Sequence, residues 1–259
     1  MTTISTLGRI LAVTAALTLE VMGGAAKAAI TAINSDYLTV GASATGGTPY
    51  NLSFDAGANA TGLIAVVTSE SNSSSMIVRY NGVDFDVAQA HTGSNVGIYY
   101  LNDPSTGGAF NFTVQGNGTT INFLGAAIVS VQSTLHTIVP TQVASETGNP
   151  AAADVAINVP DSGSFVMAGF NLNNGASANT FVLDSPLTEI FSLFINSGGA
   201  GAGYQENVAA GINNYSYTYG GTLAPRTTTA ASFMDIPEPS SMILTGLGLA
   251  GLCFRRVRK

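Results

Sequence analysis

Residues 76–86 read Met76-Ile77-Val78-Arg79-Tyr80-Asn81-Gly82-Val83-Asp84-Phe85-Asp86, and this stretch decides the fold. β-branched and aromatic residues flank an Asn-Gly pair, the two residue types that most readily take the positive φ a two-residue hairpin turn demands. It therefore reads as strand, tight turn, strand. Working outward, Leu63-Ile64-Ala65-Val66-Val67, Phe110-Asn111-Phe112-Thr113-Val114 and Tyr215-Ser216-Tyr217-Thr218-Tyr219 are further short apolar or alternating runs. Alternation in the last two buries one face of each strand and wets the other. Gly, Asn, Ser, Asp and Pro punctuate the chain from Asp36 to Asp235, and no long stretch keeps a helical period. The region is predicted to be all-β.

Composition agrees. Only 9% of the 259 residues are Asp, Glu, Lys or Arg, and the abundance of Gly, Ala, Ser, Thr and Asn suits close-turning strands better than surface helices. Charge is unevenly placed. Between Ala29 and Ile236 only Arg79 and Arg226 are basic, against thirteen acids, the total of 15 less Glu20 and Glu238. Such a surface repels phosphate backbones, so nucleic acid is excluded as a partner. The one cysteine, Cys253, leaves no intrachain disulfide to form.

The two halves echo one another. Ile77-Val78 and Phe181-Val182 are 104 residues apart, as are Ala126-Ala127 and Ala230-Ala231; Phe112-Thr113-Val114 and Tyr217-Thr218-Tyr219 are offset by 105, and Leu63-Ile64 and Phe165-Val166 by 102. These offsets point to an internal duplication with repeats at about 36–135 and 141–235. Either two sandwiches of ~100 residues or one of ~200 would satisfy them. The short connector from Val139 to Ala153 favours the second, a single jelly-roll-like antiparallel β-sandwich over 29–236.

Both ends read as addresses. Residues 1–28 carry Arg9, an apolar run from Ile10 to Leu19, and the small-x-small triplet Ala26-Lys27-Ala28. That is the plan of a Sec signal peptide cut between Ala28 and Ala29, with Ala26 and Ala28 as the signal peptidase site. At the other end Pro237-Glu238-Pro239 is followed by an uncharged run from Ser240 to Phe254 and then by Arg255, Arg256, Arg258 and Lys259. Prolines stop a strand, the apolar run is a single transmembrane helix, and the basic cluster orients it toward the cytoplasm. A helix over 240–254 is roughly 22 Å long, short of the ~30 Å hydrocarbon core. Such a span suits transient residence in the inner membrane better than a permanent anchor.

This tail resembles the PEP-CTERM sorting signal of Gram-negative, polysaccharide-producing bacteria, and the resemblance covers 237–259. It implies recognition by exosortase, a membrane cysteine peptidase, cleavage near Pro237, Glu238 and Pro239, and a final place at the cell surface or in the extracellular matrix. The middle resembles a loose group of exported bacterial β-sandwich segments through Leu63 to Val67, Tyr80-Asn81-Gly82-Val83, Tyr100-Leu101-Asn102-Asp103-Pro104 and Ala210-Gly211. That likeness implies the fold and no activity.

Catalytic signatures are absent: there is no G-x-S-x-G elbow, no H-E-x-x-H and no P-loop lysine. His91 and His136 read as ordinary surface residues. Asp84 and Asp86 stand two apart, on one face of a strand, where they are weak candidates for Ca²⁺. Tyr215, Tyr217 and Tyr219 share a strand face and could stack on sugar rings, although such a stripe is more often packing. The sequence thus predicts a non-enzymatic structural or adhesive protein of the exopolysaccharide or biofilm matrix that needs no cofactor. The alternative is a carbohydrate-binding module, Ca-assisted, whose partners are surface glycans.

Overall fold

The computed structural model describes residues 29–41, 47–69, 75–91, 96–116, 123–148, 154–172, 180–184, 186–195, 198–220 and 226–237. The signal peptide expected at 1–28, with Ala26 and Ala28, lies outside them, as do the helix expected at 240–254 and Glu238, Pro239, Arg255, Arg256, Arg258 and Lys259.

The first half comprises β1 (Thr31–Val40), β2 (Pro49–Asp55), β3 (Gly62–Ser69), β4 (Met76–Tyr80), β5 (Val83–Asp84), β6 (Asp86–Gln89), β7 (Val96–Asn102), β8 (Ala109–Gly116) and β9 (Leu124–Gln132). The second comprises β10 (His136–Gly148), β11 (Val155–Val159), β12 (Ser164–Leu172), β13 (Thr180–Leu183), β14 (Thr188–Ile195), β15 (Gly198–Val208), β16 (Gly211–Tyr215), β17 (Tyr217–Gly220) and β18 (Arg226–Pro237). All described strand pairs are antiparallel. The hairpin read at Asn81-Gly82 is present: Tyr80 pairs with Val83, and φ is 50° at Asn81 and 79° at Gly82.

Each half builds its own pair of sheets. In the first, an inner sheet runs β1-β9-β3-β7-β6 and an outer sheet β2-β8-β4-β5. In the second, the inner sheet runs β10-β18-β12-β15-β14, the same order displaced by one repeat. Its outer layer consists of the pairs β11-β16 and β13-β17, with β16 and β17 together taking the part of β8. First strand beside last, and second beside next to last, is the winding of a jelly roll.

Strands of the two halves do not mix within a described sheet. The all-β sandwich reading therefore holds, but the single ~200-residue sandwich gives way to two sandwiches stacked into four layers. Packing explains why. β3 is buried along its whole length, with Leu63, Ala65 and Val67 entering the core beneath the outer sheet and Ile64 and Val66 entering a second core between the two inner sheets. β9 and β12 are covered on both faces in the same way. A strand covered on both faces reads as a continuous apolar run rather than an alternation. Such runs left no polar face from which to count layers.

The inner sheets close tightly because small residues line their contact. A Cβ at Gly169 would lie 2.4 Å from Val66 Cγ1 and 2.8 Å from Val96 Cγ1. The sheets face each other in reversed order: β3 over β12, β1 over β14, β9 over β15, β7 over β18 and β6 over β10. Exchanging the halves maps each of these contacts onto another, as in an isologous dimer. Tyr37 stacks on Phe191 at 5.3 Å where β1 meets β14, and Tyr100 meets Phe233 at 6.0 Å where β7 meets β18. One offset read from the sequence is shifted in register. Leu63 faces its own sandwich core whereas Phe165 faces the shared one, so they are not equivalent at 102.

Candidate functional site

The sorting motif begins inside the fold. β18 is the second strand of its inner sheet and runs without a break to Pro237, pairing His136 with Pro237, Thr137 with Ile236, Ile138 with Asp235 and Val139 with Met234. Its other neighbour, β12, meets it only as far as Phe233, opposite Phe165. Met234–Pro237 are thus held among the described strands by β10 alone. Asp235 is buried, and its Oδ2 accepts a hydrogen bond from the Leu135 N–H at 2.9 Å, tying the connector between the sandwiches to the strand that leads out of them.

The start of β1 and the end of β18 lie close together at this one end. Thr31, at the start of β1, pairs with Gln132, and the next strand after Gln132 opens at His136, opposite Pro237. The first strand and the last therefore begin and end at the same edge of the molecule.

The tyrosines are a correction. Tyr215 and Tyr217 do share a face, but it is the inner one: they are 1% and 3% exposed and belong to the core between the second inner sheet and its outer layer. The Tyr215 hydroxyl donates to Gln205 Oε1 at 2.8 Å, and burial pushes its pKa up to about 12. Tyr217 packs edge-on against Phe170 at 5.3 Å. Neither offers a ring to a sugar. The side chain of Tyr219 lies outside the described residues. Of the two readings the sequence left open, packing holds and sugar stacking does not, since an aromatic stripe beside polar neighbours looks the same from either side.

The carboxylates are a second correction. The chain breaks at buried Phe85, so that Asp84 ends β5 in the outer sheet while Asp86 opens β6 in the inner one. They do not lie on one strand face. Asp84 instead accepts from Arg79 Nε across the hairpin at 2.5 Å, an exposed ion pair. Among the described residues no group of three or more His, Cys, Asp or Glu side chains is placed to hold a metal ion.

His91 is not a surface residue. It is 1% exposed, with Nε2 3.0 Å from the hydroxyl of Ser69, itself fully buried. The Ser69 carbonyl in turn accepts from Asn171 Nδ2 at 3.1 Å, linking the first sandwich to the second. No local pattern could have disclosed this cluster, whose members stand 22 and 102 residues apart. A serine and histidine in contact are the elements of nucleophilic catalysis, but these two are sealed among side chains. Their chemistry here is satisfaction of buried polar groups. His136 opens β10, and its side chain lies outside the described residues.

Residues 235–259 match the family model of the PEP-CTERM protein-sorting motif. No curated protein matches the chain. Among solved structures, that of Sulfolobus Turreted Icosahedral Virus aligns at 8% identity over 90% of this chain and 100% of its own, with a TM-score of 0.26. The major capsid protein P2 of bacteriophage PM2 aligns at 9% identity over 80% and 99%, with a TM-score of 0.27. The chain thus carries a PEP-CTERM sorting motif, the mark of an exosortase substrate that is secreted, held transiently at the membrane by its tail and destined for the surface or the exterior.

Proposed function

We propose that this is a non-catalytic structural or adhesive protein of the extracellular polysaccharide matrix, delivered by exosortase. The observation that carries the reading is the continuity of β18 with the sorting motif: the motif at 235–259 begins within the last strand of a close-packed, four-layered β domain. What is sorted is therefore a rigid domain, with no spacer between it and the tail. The scarcity of charge on the exported part, almost all of it acidic, suits contact with neutral glycans through hydroxyl and amide groups.

The burial of Ser69 and His91 supports the non-catalytic reading, because a substrate would have no route to them. Glycan binding remains part of the proposal only as an adhesive property of the whole surface. The inward-facing Tyr215 and Tyr217 and the separated Asp84 and Asp86 give no support to a Ca-assisted stacking site.

Localisation and matrix association test this together. An epitope-tagged full chain is expected in the surface and matrix fractions of the producing cell, and a chain ending at Pro237 in the medium. Purified 29–237 is expected to sediment with the producer's own polysaccharide. Equal distribution of the two chains would sink the sorting half of the proposal; a protein that stays in the supernatant, together with an unchanged matrix in a deletion strain, would sink the matrix half.

A further inference from the structure

We propose that the end of β18 is the substrate strand of the sorting peptidase and that its pairing with β10 gates release. The inference rests on the exosortase reading and adds to it a requirement that the motif itself does not state: Met234–Pro237 must leave the sheet before the peptide can be cut.

The geometry leads there directly. A peptidase cleft grips an extended segment of several residues by its backbone, in the manner of an added strand. The residues that precede Glu238 are already in a strand, and the edge they share with β10 carries four successive residue pairs. Asp235 is turned inward, 7% exposed, with its carboxylate on the Leu135 N–H. A cleft could not close around this segment while that side chain stays buried. With the membrane helix read from the sequence at 240–254, three residues separate its start from Pro237, roughly 10 Å when fully extended, so a motif read at the membrane surface would draw on β18 itself.

The fold also limits how far the opening runs. Beyond Met234 the strand is held on both sides, by β10 and β12, and Phe233 is fully buried with its ring 6.0 Å from that of Tyr100 across the sandwich interface. Strand ends open locally at far less cost than cores. Peeling therefore stops at Phe233, and the domain leaves the membrane folded.

A reversible lock tests the gate in the full chain. Thr137 and Ile236 are paired across the two strands, within reach of a disulfide. The double variant Thr137→Cys with Ile236→Cys is followed by pulse-chase in cells carrying the exosortase, with each single variant reporting any pairing with Cys253. The oxidised double variant is expected to accumulate as precursor and the reduced one to be processed like the wild type. Processing of the oxidised form at the wild-type rate would overturn the proposal. As a second arm, Gly-Ser-Gly-Ser inserted between Ile236 and Pro237 is expected to speed processing and to release the locked chain. An unchanged rate in the inserted chain would equally overturn it. A wild-type chain that the exosortase leaves uncut would overturn the sorting reading, and this proposal with it.

Discussion

Asn102 and Glu206, 104 residues apart, do the same work in the two sandwiches: each ends or nearly ends the strand next to the inner edge and reaches across to the backbone of the other sandwich's first strand. Asn102 Nδ2 donates to the Ile138 carbonyl at 3.1 Å and its Oδ1 accepts from the Ile138 N–H at 2.8 Å, while Glu206 Oε1 accepts from the Ala32 N–H at 2.5 Å. Each is followed by a residue of positive φ, Asp103 at 51° and Asn207 at 52°. The reversed stacking of the inner sheets makes the two clasps near mirror tasks, related by the exchange of halves.

Breaking a clasp exposes its cost. Asn102→Ala removes the partner of both backbone polar groups of Ile138, part-buried hydrogen bonds whose loss is expected to cost about 1–3 kcal/mol. Glu206→Gln keeps the acceptor and is expected to stay near neutral, whereas Glu206→Ala is expected to cost about 1 kcal/mol. Urea unfolding followed by far-ultraviolet circular dichroism measures all three. A wild-type midpoint for Asn102→Ala would mean that the interface is not held there.

Gly169 is required for the closeness of the sheets. A methyl group there lands on Val66 and Val96 of the facing sheet, and stiff β-branched side chains cannot swing away. Gly169→Ala is expected to lower stability by about 1–3 kcal/mol. Adding Val66→Ala should restore part of that loss, because it vacates the space the methyl needs. A double-mutant cycle reads the coupling, which must be favourable; strictly additive losses would place the strain elsewhere.

The fold class was legible because its signals are local. Asn81-Gly82 specifies its own turn, and the runs at 63–67 and 110–114 carry strand propensity whatever they pack against. Layer count was not legible. Leu63 and Ile64 look alike in sequence, yet one faces the outer sheet and the other the second sandwich, a distinction made only by what covers them. The same ambiguity left Tyr215 and Tyr217 open between sugar stacking and packing, and only the fold places them in the core. Asp84 and Asp86 were misplaced for another reason: a strand that changes sheets at Phe85 breaks the two-residue rule without any glycine or proline to announce it. The sorting motif was legible because a peptidase reads sequence, and only its fusion to β18 needed the fold.

Alkaline pH should unfold the domain through its buried phenols. Desolvation raises the Tyr215 pKa from 10 to about 12, and it also raises those of Tyr99 and Tyr80. A folded-state pKa above the unfolded value means that the fold prefers the neutral phenol. The contribution is whole below pH 10, falls as pH rises from 10 through about 12, and is gone above that. Absorbance at the tyrosinate band should rise in this window together with loss of β-sheet signal, and Tyr215→Phe should reduce the steepness of the loss. Full ionisation of every tyrosine near pH 10 with the fold intact would contradict the burial.

Tyr217 separates packing from glycan contact. Its ring is 3% exposed and meets Phe170 edge-on at an interplanar angle of 78°, so Tyr217→Ala opens a core cavity and is expected to cost about 3–5 kcal/mol. Tyr217→Phe keeps the ring and should keep most of the stability. The two variants then divide the readings when sedimentation with polysaccharide is measured beside thermal unfolding. On the packing account, Tyr217→Phe binds like the wild type, and Tyr217→Ala binds in proportion to the fraction that remains folded. A sugar stacked on this ring would give a different pattern, in which Tyr217→Ala loses binding at temperatures where it is still fully folded. The buried geometry requires the first pattern, because a sugar can reach the ring only after the second sandwich has opened.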